Sequence, residues 1–404
     1  MLFSLIIGTF LLLAATICFQ YRKDGLHPDV VFPSVWGMTM LLIGLAEPFG
    51  YFQISPGASL LFILGVFFFI AGALFGKRSS LSEGQISTYN LDFRKIAWFC
   101  IALHAVMLPL SWVEVSRITS NANDVFIAAY RLRADLVSGE ERLGVIVGNY
   151  LLVGLFFVPV LTIGCMQNKI KMRMLVILAV PWILLNLLVG GRSSLITLIF
   201  SSIYVYISMN GRVSIKAVVS FSVFFIAVLV AGNLLVGKIS ADVEDGFWLI
   251  LQQSAKGFFD YLLQGPILFS EYFNYPNKIN PTWDALIFPC HVLEKINLCV
   301  LPPLHQEYLN FSRDGDLGNV YSLFFSIYPK YGWLGIILIS SAYGWWARFH
   351  HARRRRSIFH LLMGSFLFSA VLLSVFSDTF GTSVYFFLKI LIISLVASFA
   401  FEKT

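Results

Sequence analysis

The stretch Leu184 to Phe200, LLNLLVGGRSSLITLIF, carries one permanent cation, Arg192, set between two glycines and two serines in otherwise apolar surroundings. Read outward in both directions, it joins two apolar runs, about 174 to 190 and 193 to 209, through a tight polar turn. Backbone amides in lipid must be paired within their own segment, so this pattern predicts two transmembrane helices rather than strands. The turn then raises a question of its own: why an arginine stands at the end of two bilayer-spanning segments.

The rest of the chain has the same character. Its 404 residues are 58% hydrophobic and 13% charged, with a mean hydropathy of +0.78. Soluble proteins average about 25% charged residues, so the composition excludes an ordinary soluble enzyme. A transmembrane barrel would show alternating segments of about ten residues, and the runs here are long and continuous. Eleven spans follow, at roughly 2 to 20, 29 to 46, 56 to 76, 95 to 112, 144 to 166, 174 to 190, 193 to 209, 214 to 236, 318 to 343, 358 to 376 and 381 to 400. The expected fold is an all-α polytopic membrane protein, a single integral membrane domain over 1–404 with no separate soluble domain.

Charge asymmetry gives the expected orientation. Arg22, Lys23, Lys77, Arg78, Arg94, Lys95, Lys169, Lys171, Arg173, Arg212, Lys216, Arg348 and the run Arg353 to Arg356 all fall in alternate connections close to span ends. By the positive-inside rule these connections are cytoplasmic, which places the amino terminus outside and the carboxyl terminus inside. Residues 1–20 lack a basic leading region and are followed by Arg22 and Lys23, so they read as a retained anchor rather than a cleaved signal. The net charge of +7 is explained by topology and by contact with anionic lipid, and needs no nucleic acid.

Two extramembrane loops, 113–143 and 237–318, remain on the extracytoplasmic side. Connections longer than about 15 residues are usually functional or disordered, and the aromatic patterning of these two argues for function. The first contains NDVFIAAYRLRADLVSGEERLG, where Asn123 or Asp124 caps a helix with an apolar stripe of Val125, Ala129, Leu132 and Leu136 and a stop at Gly139. Arg131 and Asp135 then share one face, while Arg133 points elsewhere. The second opens with a helical stripe of Trp248, Leu251, Ala255, Phe258 and Leu262, and Gly265-Pro266 is expected to break this helix before another begins, both lying on or dipping into the outer leaflet.

The second loop ends in the densest polar cluster of the chain: His291, Glu294, His305, Glu307, Arg313, Asp314 and Asp316. Its spacing matches no zinc signature, so no metal is expected. The Asp314-Gly315-Asp316 triplet reads as an acidic turn. Cys290 and Cys299 are placed to pair on an oxidising side, whereas Cys18, Cys100 and Cys165 read as small apolar span residues. Lys330 and Lys389 are the internal charges of the spans.

Several stretches resemble one family. GNVYSLFFSIYPKYGWLGIILISSAYG, Gly318 to Gly344, is similar to the late span of Wzy-type O-antigen polymerases, with Asn319 and Tyr328 at its characteristic polar positions. LVGGRSSLITLI resembles that family's Gly/Ser-flanked arginine, and QGPILFSEYFN the start of its large periplasmic loop. Arg133 to Gly144 fits an RX10G pattern; a second copy in the large loop is absent. HQEYLNFSRDGDLGNV is similar to a stretch of the related O-antigen ligases around a histidine, here His305, with one residue fewer and Asn319 in place of threonine. The resemblance implies an inverting, metal-independent glycosyltransferase of GT-C type, without cofactor, at the periplasmic face of a bacterial inner membrane. It implies undecaprenyl-pyrophosphate-linked oligosaccharides as donor and acceptor, with membrane lipids and a chain-length regulator protein as partners.

The opening arginine then has a chemical reason. Cleaving a sugar pyrophosphate builds negative charge on the departing oxygens, and guanidinium groups stay protonated and bind phosphate bidentately. An arginine at bilayer depth costs several kcal/mol unless it faces a polar cavity or an anion. Arg192, Arg131, Arg133 and Arg313 fall on one side and form the expected pyrophosphate clasp. The acceptor's base is expected to be His305, with Asp135, Glu307, Asp314 and Asp316 as rivals. Two alternatives stay open: an O-antigen ligase with lipid A core as acceptor, and a lipid-linked oligosaccharide flippase or transporter, which would place charges deep within several spans.

Overall fold

The computed structural model describes residues 2–75, 91–119, 127–128, 131–132, 135–136, 143–189, 192–211, 247–278, 280–281, 284–300, 306–381 and 383–401. It is a helical membrane protein: among the described residues six helices are long and apolar enough to cross a bilayer, and three shorter apolar helices accompany them. The span expected at 214 to 236 lies outside the described residues. The chain divides into two compact units, one of residues 1–84, 259–354 and 367–389, the other of 85–258, 355–366 and 390–404.

The first unit begins with α1 (Leu2–Arg22) and α2 (Pro28–Ala46), an antiparallel pair. A side chain at Gly8 would strike Gly37 and Leu41, and one at Gly44 would strike Leu5, so small residues set the closeness of the contact. Pro28 opens α2 without losing a helical hydrogen bond, because the first-turn N–H has no partner to lose. In the turn between these helices Asp24 accepts from Arg354 at 2.7 Å and lies 3.0 Å from His351, which ties the turn to a later helix.

Ser55 caps α3 (Pro56–Leu74), accepting from the Ala58 N–H at 3.3 Å. Packed on α3 is α10 (Tyr328–Arg353), which follows α8 (Phe247–Asn274), the short α9 (Phe288–Leu293) and a two-stranded hairpin, β1 (Leu309–Asn310) with β2 (Leu317–Gly318). At the closest approach of α3 and α10, a Cβ on Gly72 would sit 1.9 Å from the Ser341 carbonyl oxygen. A Cβ on Gly344 would meet that of Phe69 at 2.0 Å. Backbone can come this near only where the side chain is a hydrogen atom.

Two expectations fail in this unit. The span read at 318 to 343 is a helix only from Tyr328, and it runs on to Arg353. Its first part, Tyr321 to Ile327, is apolar and buried but irregular, with a single 3-10 turn at Leu323–Phe325. Protein supplies its backbone partners: Leu323 N–H donates to the Ser374 carbonyl at 2.8 Å, and the Ser326 carbonyl accepts from Ala285 N–H at 3.0 Å. Irregular backbone in a membrane protein survives where protein buries it in this way. Gly332, at φ 57° and ψ −154°, sets the angle at which α10 leaves this segment.

The second failure is the break expected at Gly265-Pro266. α8 continues through both residues to Asn274. Proline removes one helical N–H at a cost the helix bears here, and beside it the Gly265 carbonyl accepts from the Ser322 N–H at 3.4 Å. Gly265 stays small because the Val375 carbonyl oxygen would lie 2.0 Å from its Cβ. Nor does the end of α8 lie on a surface. Leu263, Ile267, Leu268 and Phe269 are buried, and Phe269 packs on Phe62 of α3 with ring centroids 5.3 Å apart, whereas Ala255 of the expected stripe is exposed.

In the second unit Asp92 caps α4 (Phe93–Ile118), accepting from the N–H groups of Arg94 and Lys95 at 3.1 Å each. α5 (Val145–Met166), α6 (Met172–Leu188) and α7 (Arg192–Asn210) follow, and Trp182 donates to the Tyr150 carbonyl at 3.1 Å. α11 (Ile358–Leu373) and α12 (Val384–Phe401) complete the chain, with 367–373 and 384–389 assigned to the first unit and the rest of each helix to the second.

Candidate functional site

At one end of the first unit, the hairpin of β1 and β2 turns through Ser312 to Asp316. Gly315 has φ 83°, and Ser312 Oγ donates to Asp316 Oδ2 at 2.8 Å while accepting from the Asp316 N–H at 3.1 Å. The Asp-Gly-Asp triplet is an acidic turn, as its sequence suggested. Its backbone is pinned to the end of α2 by Arg313 N–H, which donates to the Gly50 carbonyl at 2.8 Å, leaving the Arg313 side chain exposed.

The charges acting on Tyr51, one residue beyond Gly50, are anionic. Tyr51 donates to Asp260 on α8, and Asp314 and Asp316 are close enough to act on it electrostatically. Burial first, and these three carboxylates second, push the Tyr51 phenol well above its usual range. Glu307 is exposed, and its carbonyl accepts from Tyr321 Oη at 3.0 Å. Asn319 is half-buried. Tyr328 is a packing residue, with its ring 5.3 Å from that of Phe273 and 5.8 Å from Trp333.

Lys330 is not an internal charge. It lies on the first turn of α10, its side chain is 62% exposed, and it pairs with Asp284, which also accepts from Tyr331 Oη at 2.6 Å. Burial works against ionisation of Asp284, and the Lys330 and Tyr331 hydrogen bonds overcome it and hold the carboxyl below the usual aspartate range.

Two carboxylates are buried among the described residues of this unit, Asp29 and Asp378, and no sequence motif marks the second. Asp378, in the connection between α11 and α12, is fully buried. Its Oδ1 accepts from the N–H groups of Phe380 at 3.1 Å and Gly381 at 2.9 Å. Its Oδ2 is 2.7 Å from Ser326 Oγ and 3.1 Å from Tyr343 Oη. The irregular segment, the connection and α10 therefore meet at one side chain. Asp378 stands between two apolar runs, and the partners that mark it, Ser326 and Tyr343, are distant in sequence.

The second unit holds the first loop. Helical residues at 127–128, 131–132 and 135–136 place Ala128 and Leu132 inward, and Leu132 is 0% exposed. Leu132 packs in an apolar cluster with Val115 and Ile118, joined by Leu136, Leu143 and Val189. Arg131 is exposed beside it and Asp135 is half-buried. Val189 closes the turn after α6, three residues before Arg192, whose backbone starts α7. The loop helix and the arginine turn are thus brought to one end of one unit. Glu114 fixes the same end: it accepts from Arg117 at 3.2 Å and from the Gly144 N–H at 3.0 Å. These two hydrogen bonds, the arginine's the stronger, lower its carboxyl below the usual glutamate range.

Arg133 and His305 lie outside the described residues, as do Val125, Ala129 and Gly139 of the expected loop helix. His291 falls in α9. Cys290 and Cys299 are joined in a disulfide, with Cα atoms 5.4 Å apart, and Cys18, Cys100 and Cys165 are free thiols. Among the described residues, no group of three or more His, Cys, Asp or Glu side chains could hold a metal ion. No known protein family, characterised protein or solved structure matches this chain.

Proposed function

We propose that this protein is a membrane glycosyltransferase that polymerises undecaprenyl-pyrophosphate-linked oligosaccharide repeat units into O-antigen or a related surface polysaccharide, at the periplasmic face of a bacterial inner membrane. The acceptor's hydroxyl oxygen bonds to the donor's anomeric carbon as the bond from that carbon to the pyrophosphate breaks. The pyrophosphate leaves with the electron pair and the hydroxyl proton passes to a base.

The observation that carries this reading is the cluster around Leu132 and Val189, which gathers the Arg131 helix and the Arg192 turn at one end of the second unit. Guanidinium groups suit a departing diphosphate, and Arg131 and Arg192 are assigned to it. Arg133, in the same loop, is assigned with them. Arg313 shares its turn with Asp314 and Asp316, carboxylates that repel a diphosphate and accept hydrogen bonds from sugar hydroxyls, so it is assigned to the glycan. His305 is the assigned base, with Glu307 and Asp135 as its rivals.

One observation favours a second reading. A fully buried carboxylate where irregular segments meet is a frequent feature of transporters, and Asp378 is one. Purified protein given a defined lipid-linked repeat distinguishes the two. Chain extension without other components supports a polymerase; its absence, with transbilayer movement of the same lipid, supports a transporter. Arg192→Ala, in protein that inserts normally, should abolish extension, and undiminished polymer would remove Arg192 from the chemistry.

A further inference from the structure

Three oxygen-to-oxygen contacts around Asp378 call for more protons than the hydroxyls in them carry. Ser326 Oγ is 2.9 Å from the Leu323 carbonyl oxygen and 2.7 Å from Asp378 Oδ2, and Tyr343 Oη is 3.1 Å from that same Oδ2. A hydroxyl has one proton to donate. Ser326 can therefore satisfy Leu323 or Asp378, and with an ionised carboxylate one contact sets two oxygens against each other with no hydrogen between them.

One added proton resolves the conflict. Placed on Oδ2, it is donated to Ser326 Oγ; Ser326 donates to Leu323; Tyr343 donates to a remaining lone pair of Oδ2. The other oxygen is already defined as the carbonyl-like one, because Oδ1 accepts two backbone N–H groups. Full burial acts in the same direction, and raises the carboxyl to about 6 against the hydrogen bonds that lower it. Among the described residues, Tyr343 from α10 is a titratable group that faces it, and Tyr331 and Asp284, the latter paired with Lys330, act on that hydroxyl in turn.

We propose that Asp378 is a proton-binding site, holding one proton on Oδ2 when the irregular segment Ser322 to Ile327 is closed against the 374–381 connection, and that release of this proton loosens the segment. The inference is independent of the glycan reading, since it concerns a proton taken up on closure whatever the substrate. The sign follows from linkage. The closed form binds the proton more tightly than a hydrated aspartate with a pKa of about 3.9. Its advantage is therefore greatest in acid, falls as pH rises from about 4 to 6, and is gone above that.

The test uses the full chain in lipid nanodiscs, wild type against Asp378→Asn. Infrared difference spectra of wild type should show a protonated-carboxyl band that disappears as pH is raised through about 6 and that Asp378→Asn lacks. Hydrogen exchange in the peptide covering 321–331, corrected for the intrinsic rate, should rise by up to about tenfold per pH unit over that range in wild type and stay flat in the variant. A band common to both proteins, or the same exchange profile in both, would overturn the proposal. If Asp378→Asn does not fold, Ser326→Ala decides instead. It removes the acceptor of the carboxyl proton and should move the band to higher frequency; a band that does not move counts against the proposal.

Discussion

Leu132→Ala offers the sharpest way to separate the arginines from the fold that carries them. Leu132 is 0% exposed, and in the extramembrane loop expected from the sequence the alternative to burial is water. Truncation removes most of a leucine's buried area and leaves a cavity among Val115, Ile118 and Val189, at a cost of about 2 to 5 kcal/mol. Helices shorter than about 12 residues are marginal alone, so the loop helix depends on this docking. A loss of about 3 kcal/mol multiplies the undocked population by more than about 100, since each 1.4 kcal/mol is tenfold. Hydrogen exchange at 127–136 should accelerate accordingly while the peptides of α1 and α2 stay protected, and chain extension should fall with little change in lipid-linked substrate consumed by other routes. Leu132→Met, which conserves volume, should restore both. Unchanged exchange at 127–136 in Leu132→Ala would refute the argument that this cluster positions Arg131.

Other outcomes follow from features already described. Gly72→Ala puts a methyl group against the Ser341 carbonyl and must part α3 from α10; overpacking of this kind costs about 1 to 3 kcal/mol, read as a lower thermal midpoint in detergent. Glu114→Gln should cost about 1 kcal/mol through its weakened hydrogen bonds to Gly144 and Arg117, seen as faster exchange at the start of α5. Because the Glu114 carboxyl is lowered in the folded state, its contribution is present above the ordinary glutamate range and is lost as pH falls through the depressed value, so acid should abolish the difference between wild type and variant. Cys290 and Cys299 should resist alkylation in unfolded protein until a reductant is added, and mass spectrometry should then show both modified.

Helix limits were most legible where the chain carries its own punctuation. Ser55, Asp92, Pro28 and Pro56 act on the backbone beside them, so their effect can be read locally. Burial was legible as well, but burial is not conformation. Tyr321 to Ile327 is as apolar as a span, and hydropathy has no means of showing that Ser374, Ala285 and Gly265 would supply its backbone partners. Gly265-Pro266 failed to stop a helix where Gly265 lies against the Val375 backbone, a contact distant in sequence. Lys330 was misplaced because the span was started ten residues early, and Asp378 was missed because its significance comes from Ser326 and Tyr343, 52 and 35 residues distant. At the arginine turn, sequence identified the residue and its charge; which loop would be folded beside it depended on Leu132 meeting Val189.

The irregular segment also bears on the order in which the molecule can be assembled. Leu323 receives its partner from Ser374, and Ser326 sits against Asp378, so residues made some fifty positions later must arrive before this stretch is satisfied. During synthesis α10 is complete while the segment ahead of it still has unanswered amides. A nascent chain halted short of α11 should for that reason be held by insertion factors or handed to membrane proteases, and the last two helices act as the closure that lets the finished protein leave quality control.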